Sequence, residues 1–233
     1  MSRISLAPAA LAAVASCGVS QAALVAFWDF NALLPNPNTS HGIAADQGLG
    51  MLLADGTEGS SFWASTASNP QLTALGGFTD NALPGVVAGN SLTFANSSLN
   101  GAGSANGFSA VIKLDLTNVE NLTVSYATRG SGSGTGFASQ AWAISTDGVN
   151  FTALQTFTGT NASPVTVRSL GSLAAVDHAS TAYLRVTFDG ATASNGHNRI
   201  DNLLVQGDLV TTPAPGAAAL VGVAGLLARR RRA

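Results

Sequence analysis

Cysteine and charge are what this 233-residue chain has least of. Its single cysteine is Cys17, so a mature form without the first 22 residues can have no disulfide, catalytic thiolate or cysteine-based metal site. Charged residues make up only 9% of the chain and aromatic residues 6%. Such a domain must be held together by its hydrophobic core, and roughly 190 residues are enough to build one.

Positive charge is scarce outside the C-terminus. Residues 23–212 contain five basic residues and all twelve acidic ones, which gives this part of the chain a net charge of −7. An acidic body without a basic stripe argues against nucleic-acid binding and against adhesion to an anionic membrane by charge. The abundant small and polar residues are typical of an exported β-rich protein.

The C-terminal segment consists of a proline pair, an apolar run and a basic cluster: Pro213, Ala214 and Pro215, then residues 216–228, then Arg229, Arg230, Arg231 and Arg232. A helix of about 13 apolar residues rises about 20 Å, against a hydrocarbon core of about 30 Å. The run is thus a short span that relies on bilayer thinning or on extended arginine side chains. Because arginines stay on the cytoplasmic side, the body is expected across the membrane. The alternative, an amphipathic core helix, is disfavoured because the run has no polar face.

The N-terminus has the pattern of a secretory signal peptide. An apolar run over residues 4–15 follows a positive residue, and Ser20 and Ala22 are small side chains of the kind that precede a cleavage site. The mature chain is therefore predicted to begin at Ala23. A second interpretation is a lipobox that ends at Cys17 and makes it a lipidated N-terminus, but the strand predicted next leaves almost no tether for it.

The C-terminal pattern, with an export signal at the other end of the chain, resembles the PEP-CTERM sorting signal of Gram-negative-type bacteria. The resemblance covers residues 212–233, and Ala214 stands where the motif usually has Glu. It implies export, transient residence in the inner membrane, processing by an exosortase-type transpeptidase, and release to the cell surface or the extracellular space. The implied organisation is a signal peptide over 1–22, a domain over 23–208 and a sorting signal over 209–233.

Between the two signals, apolar residues recur with a period of two. Leu184, Val186 and Phe188 fall on one face, as expected of a half-buried strand. Similar patterns predict strands over residues 24–30, 92–95, 110–114, 122–126, 165–170, 182–188 and 199–206, and Asp147-Gly148 predicts a hairpin after Trp142. No helix is predicted there. Many short antiparallel strands without internal repeats predict an all-β sandwich or jelly roll. Segments 125–137, 141–151 and 198–207 also resemble strands of jelly-roll domains in PEP-CTERM proteins.

Two stretches are predicted to be loops. Residues 31–80 are rich in Asn, Pro, Gly and Ser and show weak periodicity. Residues 129–136 read Arg-Gly-Ser-Gly-Ser-Gly-Thr-Gly, which lacks the GxGxxG spacing of a phosphate-binding loop and is not followed by a helix. We therefore interpret this stretch as a connection between strands.

Candidate chemistry is sparse. His41, His178 and His197 are far apart, none has metal-ligand spacing, and the sequence has no GxSxG motif. Asp29 and Asp201 lie in the predicted first and last strands, which can be neighbours in a jelly roll. Paired there, they could hold a structural Ca²⁺; the alternative is that they are solvated carboxylates or turn caps. No other cofactor is expected.

An aromatic pair provides the only hint of ligand binding. Trp63 follows Phe62 in the long polar region, where an exposed indole could stack on a sugar ring. The alternative is that the pair folds back over the edge of the core.

Three classes of function are compatible with these features. The main prediction is an exported, non-enzymatic surface or matrix protein, with an exosortase, the export machinery and an extracellular polysaccharide as its partners. Its alternative is a carbohydrate-binding protein. A polysaccharide-active enzyme is disfavoured because no carboxylate or histidine cluster is evident, and the fold alone does not choose among these classes.

Overall fold

A computed structural model describes residues 22–33, 42–64, 70–97 and 104–210. Nearly all of the predicted signal peptide, and every residue of the proline pair and the arginine cluster, lie outside these ranges. Within them, no helix is long and apolar enough to cross a bilayer. The last strand ends one residue beyond the predicted domain boundary at Asp208.

The described residues form strands and one short 3-10 helix, Ala174–Val176. Numbered along the chain, the strands are β1 (Ala23–Trp28), β2 (Ile43–Ala44), β3 (Gln47–Gly48), β4 (Met51–Leu53), β5 (Leu72–Gly76), β6 (Asn90–Ala95), β7 (Ser109–Leu114), β8 (Val119–Gly130), β9 (Ser139–Ser145), β10 (Thr152–Thr158), β11 (Thr166–Ser172), β12 (Ala182–Asp189) and β13 (His197–Leu209).

The strands form two antiparallel sheets. Sheet A has the order β11-β8-β13-β1-β3, and β6 also pairs with β13 and brings β5 with it. Sheet B has the order β10-β9-β12-β7-β4-β2. One edge of β13 pairs with β8, while the other edge is shared between β6 and β1. Its partner changes near a register shift between Asp201 and Leu204, and Asn202 in this bulge has a φ of 47°.

A single apolar core fills the space between the sheets. Alternate residues of each strand point inward, so Tyr126 and Val205 of sheet A lie in one buried cluster with Trp142, Leu184 and Phe188 of sheet B. This packing of two sheets face to face is a β-sandwich. The predicted all-β antiparallel class is thereby confirmed for the described residues.

A buried chain of hydrogen bonds joins the two sheets inside this core. The Trp142 indole N–H donates to Tyr126 Oη (3.0 Å), and the Tyr126 hydroxyl donates to Gln140 Oε1 (2.6 Å). Gln140 Nε2 then donates to Thr128 Oγ1 (3.0 Å). Burial raises the pKa of Tyr126 well above its usual range, so the hydroxyl stays protonated and keeps its donor role.

The predicted strands from residue 92 onward are confirmed, with ends that differ by a few residues. The prediction of a loop over residues 31–80 is wrong in part, because β2, β3, β4 and β5 lie there. These strands are two to five residues long, too short to display a period of two. β9 and β10 do form a hairpin, but six residues connect them instead of a two-residue turn. Phe30 lies beyond the end of β1, with a φ of 53°.

Candidate functional site

The outer face of sheet B carries a lysine with two partners. Tyr183 in β12 alternates with core residues and pairs directly with Lys113 in β7. Lys113 Nζ lies 2.7 Å from Glu58 Oε1 and 5.4 Å from the centre of the Tyr183 ring. The hydrogen bond with Glu58 raises the pKa of Lys113, so the ammonium stays charged.

An arginine on the same face also has a partner. The guanidinium carbon of Arg185 lies 4.0 Å from the centre of the Phe151 ring, a cation–π contact. Gly59 packs against this ring, since a Cβ at Gly59 would lie 3.0 Å from Phe151 Cε2. Gly59 and Glu58 belong to residues 55–63, which we call the sheet-B loop. Glu58 connects this loop to β7, so the loop spans part of the outer face.

Phe62 and Trp63 point to opposite sides of the sheet-B loop. Trp63 is completely buried, and its indole N–H donates to Ser109 O (2.9 Å). The hypothesis that Trp63 is an exposed stacking platform is therefore wrong, and the alternative, that it covers the core, describes it correctly. Phe62 forms a bridge with Asp55 and is 64% exposed, because successive residues of an extended segment point in opposite directions.

Two shallow cavities open near sheet B. A cavity of about 380 Å³ adjoins Lys113 and is lined by Leu49, Gly50, Met51, Lys113, Leu114, Asp115, Ser180 and Thr181. A second cavity of about 240 Å³ lies beside the β9–β10 hairpin and is lined mainly by Ile144, Ser145, Asn150, Thr152, Leu154 and Val176. Both combine hydroxyl groups with aliphatic side chains, and this mixed lining suits a polar ligand with apolar patches.

The structure brings Asp29 and Asp201 into the same region, since β1 pairs with β13. Asp201 is 1% exposed; its Oδ2 accepts the Phe78 N–H (2.6 Å) and its Oδ1 accepts the Asn202 N–H (2.9 Å). Burial raises the pKa of Asp201 to about 7, against these two hydrogen bonds, and the Asp29 carboxylate adds to the increase.

These carboxylates act as caps for backbone N–H groups. Asp29 Oδ1 accepts the Asn31 N–H (2.9 Å), and the described ranges contain no group of three or more His, Cys, Asp or Glu suited to a metal ion. Instead, Asp201 and Asn202 hold residues 77–89, which we call the sheet-A loop. Asn202 Nδ2 donates to two carbonyls of that loop, Phe78 O (3.0 Å) and Asp80 O (2.9 Å).

The other residues singled out in the sequence are not brought together. His178 lies 3.6 Å from Glu120, His197 lies on sheet A, and His41 is outside the described residues. Ala22 is exposed, and Ala23 begins β1 as the partner of Gly207. The sequence analysis missed the Lys113 and Arg185 contacts, although the period of two already places both residues on the outer face.

Comparisons with known proteins give structural similarities alone. No family model and no curated protein matches the chain. A solved structure of TmCBM61 in complex with β-1,4-galactotriose is similar at 12% identity and a TM-score of 0.40, over 74% of this chain and 96% of that one. The K3 cleaved adhesin domain of Lys-gingipain from Porphyromonas gingivalis is similar at 14% identity and a TM-score of 0.44, over 80% and 99%. The CBM22-1 xylan-binding domain of Xyn10C from Paenibacillus barcinonensis is similar at 12% identity and a TM-score of 0.42, over 84% and 100%. Because these sequence identities and TM-scores are low, we assign no residue-by-residue correspondence between this chain and those proteins.

Proposed function

We propose that this chain is an exported, non-catalytic cell-surface protein whose β-sandwich binds polysaccharide on the outer face of sheet B. The observation that carries the proposal is the exposed ring of Phe62, 64% accessible on a loop that is anchored by the buried Trp63. A phenyl ring on an anchored stretch of backbone offers a sugar a flat apolar surface.

Polar groups elsewhere on sheet B suit the same ligand. Lys113 and Asp115 line the larger cavity, together with the hydroxyl groups of Ser180 and Thr181. Sugar hydroxyls need both donors and acceptors, and this set supplies them. Catalysis has less support, because glycoside hydrolysis uses a pair of carboxyl groups on either side of the scissile bond. Asp115 is the single carboxylate in the lining of that cavity.

A glycan array probed with the full-length chain tests this function. We expect binding to at least one polysaccharide, and Phe62→Ala should lower affinity for it by about tenfold, or about 1.4 kcal/mol. Val87→Ala is the matched control, because Val87 is 71% exposed and lies on the sheet-A loop. Phe62→Tyr keeps the ring and should retain binding. Equal affinities of Phe62→Ala and wild type would exclude this face as the binding site.

Export and sorting form the second part of the proposal, supported by the two terminal sequence patterns. Signal cleavage between Ala22 and Ala23 is compatible with the fold, because β1 begins at Ala23 and would stay whole. From the conformational preferences of proline, we expect Pro213 and Pro215 to favour an extended segment around Ala214, which an exosortase-type transpeptidase would require. The four arginines hold the end of the apolar run on the cytoplasmic side.

Blots of cell fractions test the sorting signal. Replacing Pro213 and Pro215 should leave an uncleaved chain held in the membrane, whereas neutral residues at 229–232 should misplace the chain. N-terminal sequencing of the exported form should find Ala23 or a residue close to it; a lipidated Cys17 would show that the chain is a lipoprotein instead. Wild-type size and location in both tail variants would contradict the sorting interpretation.

A further inference from the structure

Two arginines face each other on the outer face of sheet A without an acidic partner. Arg199 in β13 is paired directly with Arg129 in β8, a position in which Cβ atoms lie roughly 5 Å apart. All twelve carboxylates of the chain's side chains lie in the described ranges, and none comes within 4.0 Å of either guanidinium. Because like charges in direct register destabilise a sheet, an external anion would relieve this pair.

The donors of this pair are largely unused. The Nε atoms of Arg129 and Arg199 are buried and have no hydrogen-bond acceptor among the described residues, as is also true of Arg168 and Arg185, so an external ligand would meet the Nη groups. Arg199 uses one other donor, Nη1, which reaches Gly76 O at 3.0 Å. A guanidinium presents five N–H groups in a planar fork that matches a carboxylate or a sulfate. The two side chains therefore supply more donors than the described residues accept.

A hydroxyl and an imidazole extend the same surface. Thr93 of β6 pairs directly with Arg199 on its other side, and its Oγ1 is buried without a partner in the described ranges. His197 precedes Arg199 by two residues and so lies on the same face, with Nδ1 3.2 Å from Asn195 O. Burial lowers the pKa of His197, and the Arg199 and Arg129 charges lower it further. Positive charge is thus concentrated on this part of the sheet.

We propose that Arg129 and Arg199 form a binding site for carboxylate groups of an acidic polysaccharide. This inference goes beyond the proposed function, because it adds a second site on the other sheet for an acidic class of polysaccharide. A nucleic acid fits less well, because it requires a basic stripe along its backbone and the body has a net charge of −7. Two arginines match one anionic group at a time. A polymer of uronic acids, bearing one carboxylate on each sugar, supplies such groups at regular intervals.

Affinity measurements on the full-length chain test the site with two forms of one polymer. Polygalacturonate carries free carboxylates, whereas its methyl ester has the same sugars without charge. We expect wild type to bind the acid form at least tenfold more tightly than the ester, with an affinity that falls as salt rises. Arg129→Gln and Arg199→Gln should each lower affinity for the acid form by about tenfold, which equals about 1.4 kcal/mol.

Arg168→Gln is the matched control, since it removes the same charge. Arg168 lies in β11 with its guanidinium 5.3 Å from the Phe157 ring, away from the arginine pair, and its loss should not change binding. Thermal unfolding of each variant verifies that the fold is kept. A second probe, dextran sulfate, compares ester sulfates with carboxylates.

The outcomes separate this site from the proposed function. Equal binding of the acid and ester forms, both weakened by Phe62→Ala, would overturn the arginine site and leave sheet B as the sugar-binding face. Wild-type affinity in both arginine variants would also overturn it. Tighter binding of dextran sulfate than of polygalacturonate would overturn the carboxylate assignment. Loss in the arginine variants, with Arg168→Gln and Phe62→Ala unaffected, would establish the arginine site and contradict the role of sheet B.

Discussion

A loop is anchored at each of the two outer faces of the sandwich, but different forces hold the two loops. The sheet-B loop is anchored by the buried indole of Trp63 and by the ion pair between Glu58 and Lys113. The sheet-A loop is anchored by buried polar side chains, Asp201 and Asn202, which bind its backbone. The burial of an apolar side chain does not depend on pH, whereas the charge of a buried carboxylate does. The stability of the two loops should therefore respond differently to a change in pH.

The cations of the two faces differ in the same way. On sheet B, Lys113 has a carboxylate and Arg185 has an aromatic ring as partners. On sheet A, Arg129 and Arg199 face each other and have no carboxylate within ion-pair distance. A cation with a partner stabilises the fold, whereas a cation pair without one weakens it. We therefore look for charged ligands on sheet A and for neutral sugars on sheet B.

The largest expected effect comes from removing the anchor of the sheet-B loop. Trp63→Ala should lower the free energy of unfolding by about 3–5 kcal/mol, because it leaves a cavity in the core and removes one of the two N–H groups that donate to the Ser109 carbonyl. Phe62→Ala, one residue earlier and exposed, should change it by less than about 0.5 kcal/mol. Urea unfolding of both variants measures the difference. Similar losses in both would mean that Trp63 is not the anchor.

The next effect is a pH dependence that belongs to the sheet-A loop. Burial raises the pKa of Asp201 to about 7, above its unfolded value near 4, so the folded chain holds this proton more tightly. The protonated Asp201 therefore contributes fully to the free energy of unfolding below about pH 4. This contribution is lost as the pH rises through about 7, by up to about 1.4 kcal/mol per pH unit.

Asp201→Asn isolates this contribution. Asn cannot ionise, so the difference in free energy of unfolding between wild type and the variant should shift in favour of the variant from pH 5 to about pH 7 and level off above it. Trp63→Ala should show no such trend relative to wild type. Urea unfolding at several pH values measures both differences. A constant difference between wild type and Asp201→Asn would show that the carboxylate is already charged at pH 5.

The smallest expected effect is on fold stability, when an arginine that has a partner and an arginine that has none are each replaced. Arg185→Gln removes the contact with Phe151 and should destabilise the fold by about 0.5–2 kcal/mol. Arg129→Gln removes repulsion with Arg199 and should stabilise the fold by about 0.2–1 kcal/mol. The opposite signs, measured by thermal unfolding at low salt, are the test. Destabilisation by Arg129→Gln would indicate that the arginine pair already has a counter-charge.

Much of the fold could be predicted because long strands repeat their pattern. β12 places Leu184, Val186 and Phe188 on the core side, and a period of two over eight residues is visible without any structure. The short strands β2 to β5 could not be found in this way, since two to five residues hold too few repeats of the period and each strand is held by pairing with another. Their conformation depends on those partners more than on their own residues.

The candidate sites were less accessible to sequence reasoning. Phe62 and Trp63 are adjacent and both aromatic, so composition alone cannot tell which is buried; that depends on where Ser109 lies. Arg129 and Arg199 are 70 residues apart, and only the pairing of β8 with β13 makes them neighbours. The sequence allows Asp29 and Asp201 to be neighbours and offers a role as caps, but which backbone groups they cap is not visible in the sequence.

By itself, the sequence determined the all-β class, the acidic body and the orientation of residues in the long strands, because composition and periodicity are local properties. Tertiary structure alone decided which charges meet a partner. Lys113 finds Glu58 through the sheet-B loop, whereas Arg129 meets Arg199 through strand register. Electrostatic interactions fall off with distance and depend on burial, so a charge acquires its role only when distant segments of the chain are brought together.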